Sequence, residues 1–193
     1  MTQDLPNWFI RVGADEIFRR HLVRFKNTRM RCLQVGAYTG DATSWLVEHI
    51  LLHKDSYLVD VDTWAGSSEE EHKQIDWSQV EKKYNSVTKA WRETKKVTKV
   101  KSTSDEFFAK NKDTFDFIYV DGDHTAYGVM KDAINAYECL SIGGILAFDD
   151  YMWPSGKGVY NEPKVAIDAF LAVYGDRIKI MQKSYQVWCV KTA

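Results

Sequence analysis

Acidic residues follow two apolar runs of the sequence at positions where they could bind a metal ion. Asp121 comes after the run 117–120, and Asp149 and Asp150 come after the run 145–148. Adjacent parallel strands lie about 4.8 Å apart, so three carboxylates at their ends would converge and repel one another. A divalent cation relieves that repulsion, and all-oxygen ligands favour Mg²⁺, with Mn²⁺ or Ca²⁺ as alternatives, over Zn²⁺. Consecutive strand residues face opposite sides, so Asp149 and Asp150 can share an ion only if the backbone turns there.

His124 lies three residues after Asp121 and adds a group that could move a proton. Imidazole titrates near neutral pH, so His124 could act as a general base toward a substrate hydroxyl whose pKa the ion has lowered. Simpler interpretations stay open at this point. Acids at strand ends also cap helices or bind Lys and Arg, and a lone histidine is more often structural than catalytic.

Two glycines, Gly36 and Gly40, separate the apolar run 31–35 from a helical pattern at 41–53. Gly36 permits a sharp turn and the close approach of a ligand, and free N–H groups at a helix start favour an electron-rich partner. The spacing is neither G-x-G-x-x-G nor that of a P-loop. About twenty residues later, Asp60 stands where a carboxylate can accept both hydroxyls of a ribose. An ordinary turn followed by a solvated acid is the simpler alternative.

These residues need a scaffold in which strands and helices alternate. Apolar runs predict strands, and apolar residues at a spacing of three to four predict helices between them. The last two strands are too close together for a crossover helix and should form an antiparallel hairpin. The pattern is therefore an α/β sandwich with a mostly parallel sheet. Strands are predicted at 31–35, 57–61, 97–101, 115–120, 145–148, 177–181 and 186–190, and helices at 41–53, 77–91, from 104, 126–140 and 161–174.

The composition and length of the chain argue against several classes of protein. The 193 residues include 26 Lys+Arg and 27 Asp+Glu, a net charge of −1, which argues against a protein that coats nucleic acid. The length fits one domain, which we expect over 1–193 with 1–30 as an N-terminal helical cap. The apolar runs are too short to cross a bilayer. Three scattered cysteines and the lack of a signal-peptide layout predict a cytoplasmic protein.

Residues 33–40 resemble the first motif of class I S-adenosylmethionine-dependent methyltransferases, and the likeness is closest to the catechol O-methyltransferase-like, metal-dependent branch. It continues through 57–62, 102–107, 116–124, 143–151 and the final hairpin, and so covers most of the chain. The resemblance implies a Rossmann-like, seven-stranded sheet in which only the last strand of the hairpin is antiparallel. It also implies S-adenosyl-L-methionine as cofactor and Mg²⁺, Mn²⁺ or Ca²⁺ as metal, both at the carboxyl ends of the central strands.

The resemblance also assigns roles to single residues. The predicted cofactor contacts are Gly36, Ala37, Tyr38, Gly40, Thr43, Asp60, Ser104, Asp105 and Asp121. In this set the glycine turn would hold the methionine part, Asp60 the ribose, and Ser104 and Asp105 the adenine edge. Asp121, Asp149 and Asp150 would hold the metal, with His124 and Asp121 as the catalytic pair. The chain departs from the family at Gln34, where an acid is usual, and at Ala42, for which Thr43 could substitute.

Aromatic residues and a basic stretch raise the question of the acceptor. Trp64, Tyr151 and Trp153 could wall an acceptor pocket, or they could be ordinary loop packing. Residues 82–101 carry eight basic side chains and one acid, which a solvated face explains most simply and a patch for an anionic substrate or RNA explains alternatively.

We expect methyl transfer to a hydroxyl of a small molecule, such as a sugar, nucleotide sugar or natural product. A metal-free small-molecule methyltransferase, an RNA methyltransferase and a non-catalytic binding module remain alternatives. A small-molecule acceptor is the expected partner, with neither membrane nor nucleic acid, and a homodimer is left open.

Overall fold

The computed structural model describes residues 5–67, 72–153, 156 and 158–193. Within these residues, seven strands form one sheet, flanked by helices. The strands are β1 (Arg31–Val35), β2 (Tyr57–Asp62), β3 (Val97–Lys101), β4 (Phe115–Val120), β5 (Leu140–Phe148), β6 (Ile178–Lys183) and β7 (Val187–Lys191). The helices are α1 (Trp8–Arg11), α2 (Ala14–Leu22), α3 (Asp41–His49), α4 (Trp77–Val87), α5 (Lys89–Glu93), α6 (Ser104–Lys110), α7 (Ala126–Glu138) and α8 (Pro163–Val173).

The strands are arranged in the order β3-β2-β1-β4-β5-β7-β6. The first five strands pair in parallel, whereas β7 runs antiparallel to both β5 and β6. This confirms the predicted sheet, in which only the last strand of the hairpin is reversed. The chain moves outward from β1 to β3 and then returns to place β4 beside β1. Such a reversal of strand order opens a crevice at the carboxyl ends of the strands, where α/β proteins bind ligands.

Helices cover both faces of the sheet, which explains why its central strands are almost continuously apolar. Alternate residues of β1 belong to different clusters. Cys32 is in the cluster that contains Phe18 of α2, and Leu33 is in the cluster that contains Ala133 of α7. Membrane crossing would need a longer and more apolar helix than any in the described part of the chain.

Several predicted elements differ from the structure in their bounds, and β5 begins five residues before the predicted strand 145–148. The first helix ends at His49 instead of residue 53, and the predicted helix 77–91 is divided between α4 and α5. The helix predicted to end near residue 140 stops at Glu138, and β5 begins at Leu140. The pair Gly143 and Gly144 therefore lies inside β5 and does not close the helix. Leu140 pairs with Phe115 through an irregular register, so the backbone there takes sheet hydrogen bonds.

Several basic side chains of the stretch 82–101 bind acidic groups or carbonyl oxygens of the same protein. Lys99 and Lys101 form ion pairs with Glu81 at 2.5 and 2.6 Å. Lys96 donates hydrogen bonds to two carbonyl oxygens before β2, and Arg92 donates to the carbonyl oxygen of residue 85. These contacts fit a structural role for the stretch better than a surface for RNA.

Candidate functional site

A cavity of about 730 Å³ opens at the carboxyl ends of the central strands, a size typical of small-molecule sites. Loops after β1, β2, β4 and β5 form its walls, together with α1 and the starts of α6 and α7. Ten of the predicted site residues line it: Gly36, Ala37, Tyr38, Ser104, Asp105, Asp121, His124, Asp149, Asp150 and Trp153. The lining does not include Gly40, Thr43, Asp60, Trp64 or Tyr151.

The turn at Gly36 packs closely against the end of β4. Gly36 has φ +87°, and a Cβ added there would lie 1.8 Å from the carbonyl oxygen of Asp121. The N–H of Gly36 donates to Val61 and the N–H of Asp121 donates to Val35, at 2.9 and 2.8 Å. The sequence suggested that a glycine here makes room for a ligand. The structure shows that it first makes room for the backbone of the neighbouring strand.

Asp62 ends β2, lines the cavity and holds the glycine turn in place. Its Oδ2 accepts hydrogen bonds from the N–H groups of Ala37 and Tyr38, at 2.8 and 2.9 Å, and its Oδ1 accepts one from Trp64 at 2.7 Å. Burial raises the pKa of Asp62, although these N–H donors favour the ionised form. Asp62 was not predicted from the sequence, because Asp60 met the expected spacing. The available signal was that Asp62, two residues later, keeps the same side of the strand and stands at its end.

Asp60 lies within β2, opposite Gln34, and is fully buried. Its Oδ2 accepts hydrogen bonds from Thr43 Oγ1 on α3 at 2.8 Å and from Tyr84 OH on α4 at 2.7 Å. Burial raises the pKa of Asp60 to about 7. The structure therefore places Asp60 and Thr43 behind the cavity wall, where they join two helices to the sheet. This geometry does not match the ribose contact predicted for Asp60.

Asp121, His124 and Asp150 come together at the ends of β4 and β5. One potential ligand atom from each lies within 4.8 Å of the others. His124 Nε2 is 3.0 Å from Asp150 Oδ2 and 3.7 Å from Asp121 Oδ1, and Tyr185 OH donates to Asp150 Oδ1 at 2.9 Å. Burial raises the pKa of Asp121 to about 6, although His124 opposes the shift. The group can hold a proton or a cation.

Asp149 lines the same cavity but is not among the three residues grouped within 4.8 Å. β5 ends at Phe148, and Asp150 has φ +55°, so the backbone turns between these two consecutive residues. Asp149 Oδ2 accepts hydrogen bonds from Tyr119 OH and, at 3.1 Å, from Gln186 Nε2. Burial raises its pKa well above the ordinary value. The structure thus groups His124, rather than the predicted Asp149, with Asp121 and Asp150.

Of the three predicted pocket aromatics, Trp153 lines the cavity, with its ring centroid 5.3 Å from that of His124. Trp64 is buried and its Nε1 donates to Tyr38 O at 2.9 Å, while Tyr151 OH donates to Asp168 at 2.9 Å. These two residues are loop packing, the alternative that the sequence left open. The cavity wall also contains residues that were not predicted from the sequence: Trp8, Val12, Ile75, Trp77 and Tyr185.

The missed wall residues lacked a usable sequence signal. Trp8 belongs to the four-residue helix α1, which is too short to show an apolar period, and Trp77 is the first residue of α4. Their position at the cavity depends on how α1 and α4 pack in the folded chain, which periodicity does not report.

Comparison with known proteins shows which proteins this chain resembles in sequence and fold. A family model described as a methyltransferase domain matches residues 33–151. No curated protein sequence matches the chain significantly. The structure resembles a Klebsiella pneumoniae protein described provisionally as an O-methyltransferase (TM-score 0.69, 14% identity, covering 98% of this chain and 84% of that one).

Two further solved structures show the range of proteins with this fold. One is a Clostridium thermocellum protein described provisionally as an rRNA methylase (TM-score 0.67, 12% identity, 99% of both chains). The other is the O-methyltransferase from Bacillus cereus in complex with S-adenosylhomocysteine (TM-score 0.61, 14% identity, 99% of this chain and 84% of that one). The chain therefore belongs to the methyltransferase-domain family: it is a class I S-adenosylmethionine-dependent methyltransferase with a catechol O-methyltransferase-like fold.

Proposed function

We propose that the protein transfers the methyl group of S-adenosylmethionine to a hydroxyl of a small molecule. The observation that carries this proposal is the Asp121–His124–Asp150 group, which lies in the same cavity as the glycine turn. A base beside two carboxylates suits the activation of a hydroxyl, which must lose a proton to become a good nucleophile. Incubation with methyl-labelled cofactor and a panel of hydroxylated and aminated acceptors tests it. Cofactor binding without transfer to any hydroxyl would favour a binding module.

The cavity offers suitable groups along its length for the cofactor. The loop Gly36–Ala37–Tyr38 would face the methionine part, and Ser104 and Asp105 would face the adenine edge, as the sequence suggested. We assign the ribose to Asp62 in place of Asp60, because a carboxylate at a strand end inside the cavity can accept hydrogen bonds from ribose hydroxyls.

Paired substitutions test this reassignment. Asp62→Asn should weaken binding of S-adenosylhomocysteine about 10- to 100-fold, since hydrogen bonds to a charged group are lost. Asp60→Asn should leave that affinity within about threefold, because the Asp60 carboxylate contacts protein groups in a buried network. Isothermal titration calorimetry measures both. Weak binding by the Asp60 variant together with normal binding by the Asp62 variant would contradict the assignment.

The carboxylates fit a divalent cation. Asp121 and Asp150 converge, and burial of carboxylates that face one another favours either a proton or a cation between them. These two residues would hold the ion, which supplies a positive charge that lowers the pKa of an acceptor hydroxyl. Their oxygen ligands suit Mg²⁺ or Mn²⁺. His124 Nε2 is also close enough to complete the ligand set, which is the alternative to its role as base.

Residues of the chain accept the proton of the acceptor and shield the reacting atoms. His124 accepts the proton of the acceptor hydroxyl, and the carboxylates of Asp150 and Asp121 stabilise the imidazolium that forms. The acceptor oxygen would then form a bond to the methyl carbon as its bond to the sulfonium breaks, with S-adenosylhomocysteine as the leaving group. Trp153 lies against His124 and would shield the reacting atoms from water. Alignment of two bound reactants supplies much of the rate increase.

Metal titration distinguishes between two sets of carboxylates that could bind the ion: Asp121 with Asp150, and the predicted set that also contains Asp149. Mg²⁺ or Mn²⁺ should bind in the presence of S-adenosylhomocysteine, and Asp150→Asn should weaken that binding about tenfold or more, because a charged ligand is lost. Asp149→Asn is the matched control and should bind the ion with little change, since Asp149 contacts Tyr119 and Gln186. Calorimetry gives the affinities. Activity that persists in EDTA, with no ion bound, would favour a metal-free reaction.

A further inference from the structure

The turn between β6 and β7 contacts the carboxylates at the cavity. Tyr185 lies in this turn, lines the cavity, and donates a hydrogen bond from its OH to Asp150 Oδ1 at 2.9 Å. Its carbonyl oxygen accepts a hydrogen bond from the N–H of Tyr151, also at 2.9 Å. The turn therefore holds the segment after β5 at two points, one on the side chain of Asp150 and one on the backbone that follows it.

The two carboxylate oxygens of Asp150 have different partners. Oδ1 accepts the hydrogen bond from Tyr185, and Oδ2 lies 3.0 Å from His124 Nε2. A carboxylate that is held through one oxygen cannot rotate freely, so its other oxygen keeps its direction. Asp150 also has φ +55°, a conformation that is costly for a residue other than glycine and persists where the surroundings hold it. The hydrogen bonds from the turn supply such a restraint.

The turn itself is fixed by the residue that follows Tyr185. Gln186 is fully buried, its Nε2 donates to Asp149 Oδ2 at 3.1 Å, and its Oε1 accepts from Trp188 Nε1 at 2.9 Å. Two consecutive residues of the turn thus bind two consecutive acids, Tyr185 to Asp150 and Gln186 to Asp149. This pairing gives each acid its own donor.

We infer that Tyr185 is a positioning residue that acts through Asp150: its hydroxyl holds the Asp150 carboxylate in the Asp121–His124–Asp150 group. This role rests on the proposed function, since the orientation of Asp150 affects turnover only if that group takes part in methyl transfer. It requires no contact between Tyr185 and the cofactor, the acceptor or the ion. Removal of the hydroxyl should therefore act on Asp150 and leave cofactor binding alone.

Tyr185→Phe tests this role, because it removes the hydroxyl and keeps the ring. The single-turnover rate with methyl-labelled cofactor should fall about 10- to 100-fold, and the affinity for Mn²⁺ in the presence of S-adenosylhomocysteine should fall by a similar factor. Affinity for S-adenosylhomocysteine itself should stay within about threefold, since no proposed cofactor contact is lost. Calorimetry gives both affinities. Wild-type rates and wild-type Mn²⁺ affinity in this variant would overturn the inference.

Tyr137→Phe is the matched control. It removes the hydroxyl of a tyrosine on α7 that donates to the carbonyl oxygen of Ala193. The turnover and Mn²⁺ affinity of this variant should equal those of the wild type, because its hydroxyl has no contact with the Asp121–His124–Asp150 group.

A double-mutant cycle separates positioning through Asp150 from a general structural effect. In the Asp150→Asn background, Tyr185→Phe should change the single-turnover rate and the Mn²⁺ affinity by no more than about twofold, because the group through which Tyr185 acts is already altered. If Tyr185→Phe costs the same factor in both backgrounds, the two residues act independently and the inference is wrong.

Failure of the proposed function gives a different pattern. If the wild type transfers no methyl group to any hydroxyl but binds Mn²⁺, the proposed reaction fails, and Mn²⁺ affinities across the cycle still test the link from Tyr185 to Asp150. If methyl transfer occurs and no Mn²⁺ binds, the single-turnover rates test that link. Absence of both in the wild type would overturn the proposed function and this role of Tyr185 with it.

Discussion

Replacing His124 with alanine should lower kcat about 10²- to 10⁴-fold and leave the affinity for S-adenosylhomocysteine nearly unchanged. The reason is the position of the imidazole: Nε2 lies 3.0 and 3.7 Å from carboxylate oxygens of Asp150 and Asp121. The side chain can therefore receive a proton in a place where a positive charge is stabilised. The cofactor contacts that we propose lie on other loops of the cavity.

Single-turnover kinetics and calorimetry on the same preparation check this result. His53→Ala is a suitable control, because His53 precedes β2 and does not line the cavity. If His124→Ala loses cofactor affinity as much as turnover, His124 has a structural role. If the variant instead loses Mg²⁺ affinity in parallel with turnover, His124 completes the ligand set of the cation.

Gly36→Ala should reduce the free energy of unfolding by about 3–5 kcal/mol and abolish cofactor binding at ordinary concentrations. Two energetic costs add at this position, one conformational and one steric. The backbone has φ +87°, which L-residues adopt at a cost, and the new Cβ would lie 1.8 Å from the carbonyl oxygen of Asp121. Because that oxygen belongs to the backbone at the end of β4, relief requires the β1 and β4 ends to separate. Those ends carry the glycine turn and Asp121.

Gly143→Ala separates the two costs. Gly143 also has a positive φ, +79°, but a Cβ added there meets nothing within 4 Å. It should therefore show the conformational cost alone, about 1–2 kcal/mol. Urea denaturation measures both variants. If the two substitutions destabilise the protein equally, the close approach of Gly36 to Asp121 does not constrain the fold.

Much of the scaffold could be predicted from the sequence. The bounds of β1, β3 and β4 agree with the predicted strands. For β1 and β4 the reason is that a strand covered on both faces needs nearly every residue to be apolar. The short gap before β7 predicted the reversed hairpin correctly, since parallel strands need a longer crossover. Helix ends were less predictable: the boundary near Glu138 depends on the irregular pairing of Leu140 with Phe115.

The location of the site could be predicted from the sequence, but not every contact within it. The acids after β4 and β5 and the glycine turn do line one cavity, because parallel strands bring their carboxyl ends to one edge of the sheet. Sequence spacing alone could not choose between neighbouring acids. Asp60 and Asp62 share a side of β2, and Asp149 and Asp150 are adjacent, so each pair met the same pattern.

The sequence by itself determined the α/β architecture and the residue types that gather at the sheet edge, since both follow from local periodicity and strand direction. The tertiary structure decided the rest. Tyr84 and Thr43 bind Asp60 inside the protein, and Asp62 is left at the cavity. Asp150 lies 3.0 Å from His124, whereas Asp149 accepts hydrogen bonds from Tyr119 and Gln186. These choices depend on partners distant in the chain, which only packing brings into hydrogen-bond distance.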